Sequence, residues 1–192
     1  MILFLAGLGP LLRLGWFTYS DLLGANPIEF ITRSLGTWTL VLLIITLSIT
    51  PLRQLSGWTA LIKLRRMAGL FAFFYALLHF ITYIWLDQFF DLQAIYQDVL
   101  KRPFITVGFT AFILLLPLAL TSSNAMMKRL GGKHWQLLHR LIYPIAILAV
   151  LHYWWLVKKD ITQPLIYAAL LSILLGYRVW LWLRKRHNTH AP

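Results

Sequence analysis

Long apolar runs broken by short polar connections set the pattern of this chain. Six runs stand out: Ile2–Phe17, Leu35–Thr50, Met67–Leu86, Phe104–Leu120, Leu137–Val157 and Pro164–Leu183. A helix that crosses a bilayer needs about 20 mostly apolar residues, with a range of about 17–25. The third, fifth and sixth runs meet this. The first, second and fourth are short and must recruit flanking residues or lie steeply. The pattern predicts an all-α protein, a polytopic membrane bundle of six transmembrane helices. Connections are short and no repeat is evident, so residues 1–192 read as a single domain. The first run has no basic segment before it and no clear small-x-small cleavage site after it. It therefore reads as a retained helix rather than a signal peptide.

The polar connections add orientation. Arg53, Lys63, Arg65 and Arg66 separate the second and third runs, and Lys128, Arg129 and Lys133 the fourth and fifth. Arg184, Lys185 and Arg186 follow the sixth. The alternate connections hold Asp21, Glu29 and Arg33, then Asp87, Asp91, Asp98, Lys101 and Arg102, then Lys158, Lys159 and Asp160. Lys/Arg-rich connections stay in the cytoplasm, which predicts cytoplasmic N- and C-termini. The third and fifth spans then run in the same direction. Trp58, Trp85, Trp135, Trp154, Trp155 and Trp182 fall near span ends, where aromatic belts form.

Composition removes several function classes. Hydrophobic residues make up 59% of the chain and charged residues 12%, against about 25% charged in a soluble domain; the mean hydropathy is +0.70. The net charge of +12 lies in the gaps between apolar runs, so membrane orientation explains it and nucleic-acid binding is excluded. There is no cysteine, which removes disulfides, thiolate-ligated haem and all-cysteine iron–sulfur clusters and leaves histidine as the likeliest redox-metal ligand type. No glycine-rich dinucleotide fingerprint occurs, and the extramembrane segments are too short to hold a nucleotide domain.

An ionisable residue inside a spanning helix is a functional candidate by default. Of six histidines, His79 falls in the third span and His139 and His152 in the fifth. His134, His187 and His190 lie in basic connections and read as solvated. His79 is 13 residues beyond Arg66, and His152 is 13 residues beyond His139, which is about 20 Å of helix. On two parallel spans this places His79 and His152 at similar depth in the outer half, and His139 in the inner half. Two neutral imidazoles facing across a bundle suit a b-type haem. The bland alternative is that each histidine donates one hydrogen bond between helices.

Helical phase separates the two histidines of the fifth span. Thirteen residues turn an ideal helix by about 220°, so His139 and His152 share no strict face unless Pro144 bends the helix. Arg65, fourteen residues before His79, is only about 40° off its face. At the depth of His139 the third span therefore offers Arg65 or Arg66, which suit a haem propionate, a flavin phosphate or a lipid phosphate. A plain positive-inside anchor is an equal reading of either arginine.

The stretches LGANPIEFITRSLGTWTL, ITPLR, LRRMAGLFAFFYALLHFITY, KRPFITVGF, LALTSSNAMMKRLGGKHWQLLHRLIY and LHYWWLVK together resemble the ferric-reductase-like transmembrane domain group. Within it the similarity is to haem-binding membrane subunits of bacterial periplasmic methionine-sulfoxide reductase systems, and it covers nearly the whole chain. The resemblance implies an electron conduit in the bacterial inner membrane that carries haem b, one or two groups, and with which FMN is associated. It implies a partner, the periplasmic molybdopterin enzyme MsrP, on which sulfoxide reduction itself takes place. It also implies an electron donor, either quinone or a cytosolic flavin reductase. The group's span-three histidine falls on His79 and its two span-five histidines on His139 and His152. NADPH oxidases of the group have two histidines in each helix; this chain has one in span three, leaving His139 without an evident partner. Two other readings are a non-redox polytopic protein with histidines as interhelical glue, and a self-sufficient metalloreductase, which the missing nucleotide domain disfavours.

Overall fold

A computed structural model describes residues 2–157 and 159–189. Lys158 and His190 lie outside the described residues, as do the side chains of Lys185 and His187. Among the described residues the chain forms nine α-helices and one π-helical turn, with no strand. They are α1 (Ile2–Tyr19), α2 (Pro27–Ser56), α3 (Leu61–Thr82) running into a π-turn (Tyr83–Asp87), α4 (Leu92–Lys101), α5 (Pro103–Leu120), α6 (Asn124–Leu130), α7 (Gly132–His139), α8 (Ile142–Leu156) and α9 (Thr162–Thr189). Five stretches are long and apolar enough to cross a membrane: Pro27–Ser56, Leu61–Asp87, Pro103–Leu120, Gly132–Leu156 and Thr162–Arg184. With α1, 18 residues long, they make the six-helix, all-α bundle the apolar runs predict.

Flanking residues lengthen the short runs for local reasons. Asn26 caps α2 by accepting from the Glu29 N–H, Pro27 sits in its first turn, and Gly57 ends it at φ 71°. A proline at the start and a left-handed glycine at the end are the favoured helix punctuation. The run Leu35–Thr50 thus grows into a 30-residue helix. Helix α4 was not expected: residues 92–101 read as part of a polar connection. Apolar residues at 92, 95, 96, 99 and 100 have helical spacing, and Asp91 caps the helix by accepting from the Gln93 and Ala94 N–H groups.

The fifth span is not one helix. It breaks at Arg140 and Leu141, between α7 and α8. Pro144 is the cause. It has no N–H to give the Arg140 carbonyl four residues back, and its ring crowds that carbonyl. The Arg140 carbonyl accepts instead from the Tyr143 N–H at 3.1 Å, a tighter i to i+3 turn. The phase angle predicted for an ideal helix from His139 to His152 therefore does not apply.

A second proline lies inside a helix that stays continuous. Pro10 falls within α1 and has no N–H to give the Ala6 carbonyl. One residue on, the Tyr75 hydroxyl of α3 donates to the Gly7 carbonyl at 2.8 Å and accepts from the Leu11 N–H at 3.2 Å. Tyr75 is 0% exposed. Removing the hydroxyl deletes both bonds, each worth about 0.5–1.5 kcal/mol. We expect Tyr75→Phe to lower the thermal unfolding temperature in detergent; an unchanged transition would contradict the role of this bridge.

The core gathers Leu43, Leu47, Ala72, Tyr75, Ile145 and Ala146 between α2, α3 and α8. Helix α2 packs most extensively on α3, α5 packs on α8, and α9 closes against α2 and α8. All six acidic residues lie at the end of the bundle where α2, α5 and α9 begin. The two ion pairs of the described residues, Arg33–Glu29 and Arg102–Asp98, are there as well. The opposite end carries only basic side chains.

Candidate functional site

The structure brings His79 and His152 together. Their ring centroids are 6.2 Å apart, at an interplanar angle of 76°. His79 Nδ1 donates to the Thr32 carbonyl of α2 at 2.8 Å, and His152 Nδ1 donates to the Phe104 carbonyl of α5 at 2.6 Å. A backbone carbonyl accepts only, so each bond fixes the proton on Nδ1 and leaves Nε2 with a free lone pair. Among the described residues neither Nε2 has a hydrogen-bond partner. A metal-bound histidine commonly has its other ring nitrogen held in this way.

Each ring sits over a glycine one turn beyond its acceptor. A Cβ on Gly36 would lie 3.1 Å from His79 Nδ1 and Cε1, and a Cβ on Gly108 would lie 2.6 Å from His152 Nδ1. The two halves match: Thr32 and Gly36 on α2 seat the α3 histidine, and Phe104 and Gly108 on α5 seat the α8 histidine. These four residues escaped the sequence reading. Their roles are played by backbone atoms and by a missing side chain, which residue type alone does not announce.

The spacing accommodates one metal between the rings. With a zinc–imidazole bond of about 2.0–2.1 Å as the scale, rings on opposite sides of a metal have centroids about 6 Å apart. Among the described residues no group of three or more His, Asp or Glu gathers to hold a bare ion. A porphyrin iron needs only the two axial ligands, because the macrocycle supplies the rest. The donor set therefore fits a bis-histidine haem. Phe80 stacks on Phe112 at 4.5 Å and Phe104 lies 6.2 Å from the His152 ring, so the surroundings are apolar and aromatic.

His139 stands apart. It stacks on Trp135 at 3.8 Å and 24°, and its Nδ1 donates to the Trp135 carbonyl at 3.0 Å. Its Nε2 is buried and makes no well-formed hydrogen bond, with the Leu118 backbone nearby. No histidine faces it, and Arg65 and Arg66 are within its electrostatic range, as the depth argument predicts. Arg66 is engaged by a 2.7 Å bond from Nη1 to Asn124 Oδ1. Arg65 is partly withdrawn from water and feels the charges of Tyr143, Arg178 and Arg53. Trp135 is not a free belt residue, since its Nε1 donates to the Thr121 carbonyl at 2.8 Å.

Arg178 is a charged residue that the sequence analysis did not single out. It lies inside the sixth apolar run. Its Nη1 donates to the Leu174 carbonyl at 2.9 Å and its Nη2 to the Leu47 carbonyl of α2 at 2.6 Å. A cation within a spanning segment was the available signal.

A family model described as the ferric reductase like transmembrane component matches residues 35–150, and the chain belongs to that family. Its curated relatives narrow the group. A protein-methionine-sulfoxide reductase heme-binding subunit MsrQ from Herminiimonas arsenicoxydans is 60% identical over 190 residues, covering 97% of this chain and 87% of the relative. The MsrQ of Azospira oryzae is 60% identical over 178 residues, covering 92% and 76%. That of Bordetella pertussis is 55% identical over 187 residues, covering 96% and 90%. Within the family the chain groups with the MsrQ proteins.

Proposed function

We propose that the chain is a haem-binding electron-transfer subunit of the membrane, acting as one domain. The observation that carries this reading is the His79–His152 pair, with both Nδ1 protons on backbone carbonyls and both Nε2 atoms free. His79 and His152 would hold the haem iron. A bound b-type haem supplies a one-electron couple there. Thr32 and Phe104 hold the ring orientation and tautomer, and Gly36 and Gly108 let the rings approach the neighbouring helices. The interhelical-glue reading explains the Nδ1 bonds but not why the two rings lie 6.2 Å apart with neither Nε2 hydrogen-bonded.

The finer reading follows the relatives' names and the resemblance. The protein sits in the bacterial inner membrane with both termini in the cytoplasm, on the strength of the charge segregation. Electrons enter from quinone or a cytosolic flavin reductase and leave at the acidic end to the periplasmic molybdopterin methionine-sulfoxide reductase MsrP. Catalysis of sulfoxide reduction belongs to that partner. His139, with its buried Nε2 and the nearby Arg65 and Arg66, serves a second, inner cofactor.

The test is a reduced-minus-oxidised visible spectrum of the purified protein, with haem and flavin quantified on the same sample. The expected result is a b-type haem spectrum. Its absence after expression with ample haem would refute the reading, and flavin content decides whether FMN binds. We further expect His139→Ala to leave the haem signal of the His79–His152 pair largely intact. Loss of that signal in His139→Ala would mean that the two levels are one site.

A further inference from the structure

The basic end of the bundle holds a cluster of cations drawn from three helices. Arg53 of α2 and Arg178 of α9 each act electrostatically on Arg65 of α3, as does Tyr143. The Arg178 guanidinium also sits over the Tyr143 ring, 5.4 Å from its centroid. None of the six Asp and Glu side chains can neutralise this group, because all of them are at the other end. Arg53 Nε is buried and has no hydrogen-bond partner. Like charges drawn together away from water repel unless a counter-anion joins them.

Beside the cluster, α2 and α9 enclose an apolar groove of about 320 Å³, lined by Ser48, Leu52, Leu55, Ile173 and Tyr177 among others. Arg178 ties α2 to α9 next to this groove, through Leu47 and Leu174. Leu52, Leu55 and Ile173 are exposed on its walls, facing where the acyl layer of a membrane lies. A cationic cluster without an internal counter-ion, adjoining an apolar groove that opens sideways, matches an anionic amphiphile.

We propose that this end of the bundle is a site for one anionic phospholipid. Its phosphate meets Arg53 and Arg178, with Arg65 adding to the field, and an acyl chain lies in the α2–α9 groove. Arginine suits phosphate through its fork of N–H donors. The site does not involve the His79–His152 pair, and it shares only Arg65 with the inner-cofactor reading.

The test uses the full chain, purified in detergent and haem-loaded, and native mass spectrometry. Phosphatidylglycerol and phosphatidylcholine with the same acyl chains are added separately, with and without inorganic phosphate. One phosphatidylglycerol is expected to be retained in preference to phosphatidylcholine. Arg178→Gln and Arg53→Gln are each expected to weaken its retention by about tenfold or more, the scale of losing a charge-assisted hydrogen bond. Ile173→Trp, which fills the groove and leaves every arginine, should weaken it too. Should Arg178→Gln fail to fold, Arg53→Gln and Ile173→Trp decide the matter. Equal retention of the two lipids overturns the proposal. So does wild-type retention by Arg53→Gln or Ile173→Trp, or displacement by inorganic phosphate, which would mark a free-phosphate site. Loss of haem rather than lipid in the Gln variants would assign the cluster to a haem propionate and overturn it as well.

Discussion

His79→Ala and His152→Ala are each expected to remove the same haem signal, leaving about a tenth or less of the wild-type haem in protein purified at equal yield. Losing an outer-shell partner alone commonly weakens a metal site roughly 10–100-fold, and losing an axial ligand removes more. The equivalence of the two variants is the sharp part. The rings face one another at 6.2 Å, and each is held by its own helix pair, His79 against α2 and His152 against α5. Neither can substitute for the other. If one variant keeps a full signal, the pair is not a shared ligand set. Size-exclusion profiles of the two variants separate loss of haem from loss of fold.

Gly108→Ala should impair haem binding more than Gly36→Ala, although both leave the histidines in place. An added methyl at Gly108 lies 2.6 Å from His152 Nδ1, with Cε1 at 2.8 Å. The ring must move, and its bond to the Phe104 carbonyl breaks. At Gly36 the nearest ring atoms are 3.1 Å away, so a shift of a few tenths of an ångström suffices. Helix propensity acts the other way, since alanine favours an interior helical position over glycine by about 1 kcal/mol. The expected result for Gly108→Ala is thus a protein at least as stable as wild type without haem, yet binding haem roughly 10–100-fold more weakly. Haem titration checks the affinity, and thermal unfolding of the haem-free protein checks the fold. Equal affinity in both variants, or a destabilised apoprotein, would mean the glycines serve packing rather than ring placement.

What the sequence made legible was the part written in residue type and period. Six apolar runs, the absence of cysteine and the depth match between His79 and His152 are properties of side chains along a helix of known rise. The structure keeps all three. What it adds is written in backbone. The break at Arg140 depends on a missing N–H at Pro144, and the histidine seats depend on two carbonyls and two glycines on other helices. Helix α4 was legible from its apolar spacing but hidden by its length, since 10 residues fall below any membrane-span criterion. Arg178 lies inside an apolar run rather than in a basic connection, so the charge pattern that sets orientation does not single it out.

The Tyr75 bridge has a consequence for the order of assembly. In the apolar phase of a bilayer every backbone polar group needs a partner inside the protein. Helix α1 draws a partner from elsewhere: beside Pro10, the Gly7 carbonyl and the Leu11 N–H both bond a hydroxyl that belongs to α3. During synthesis α1 emerges before α3, so these two bonds wait until α2 and α3 have arrived. Helix α1 is therefore an element whose docking is completed late, onto an α2–α3 hairpin. Truncations ending before Tyr75 should leave it poorly anchored, however apolar its sequence.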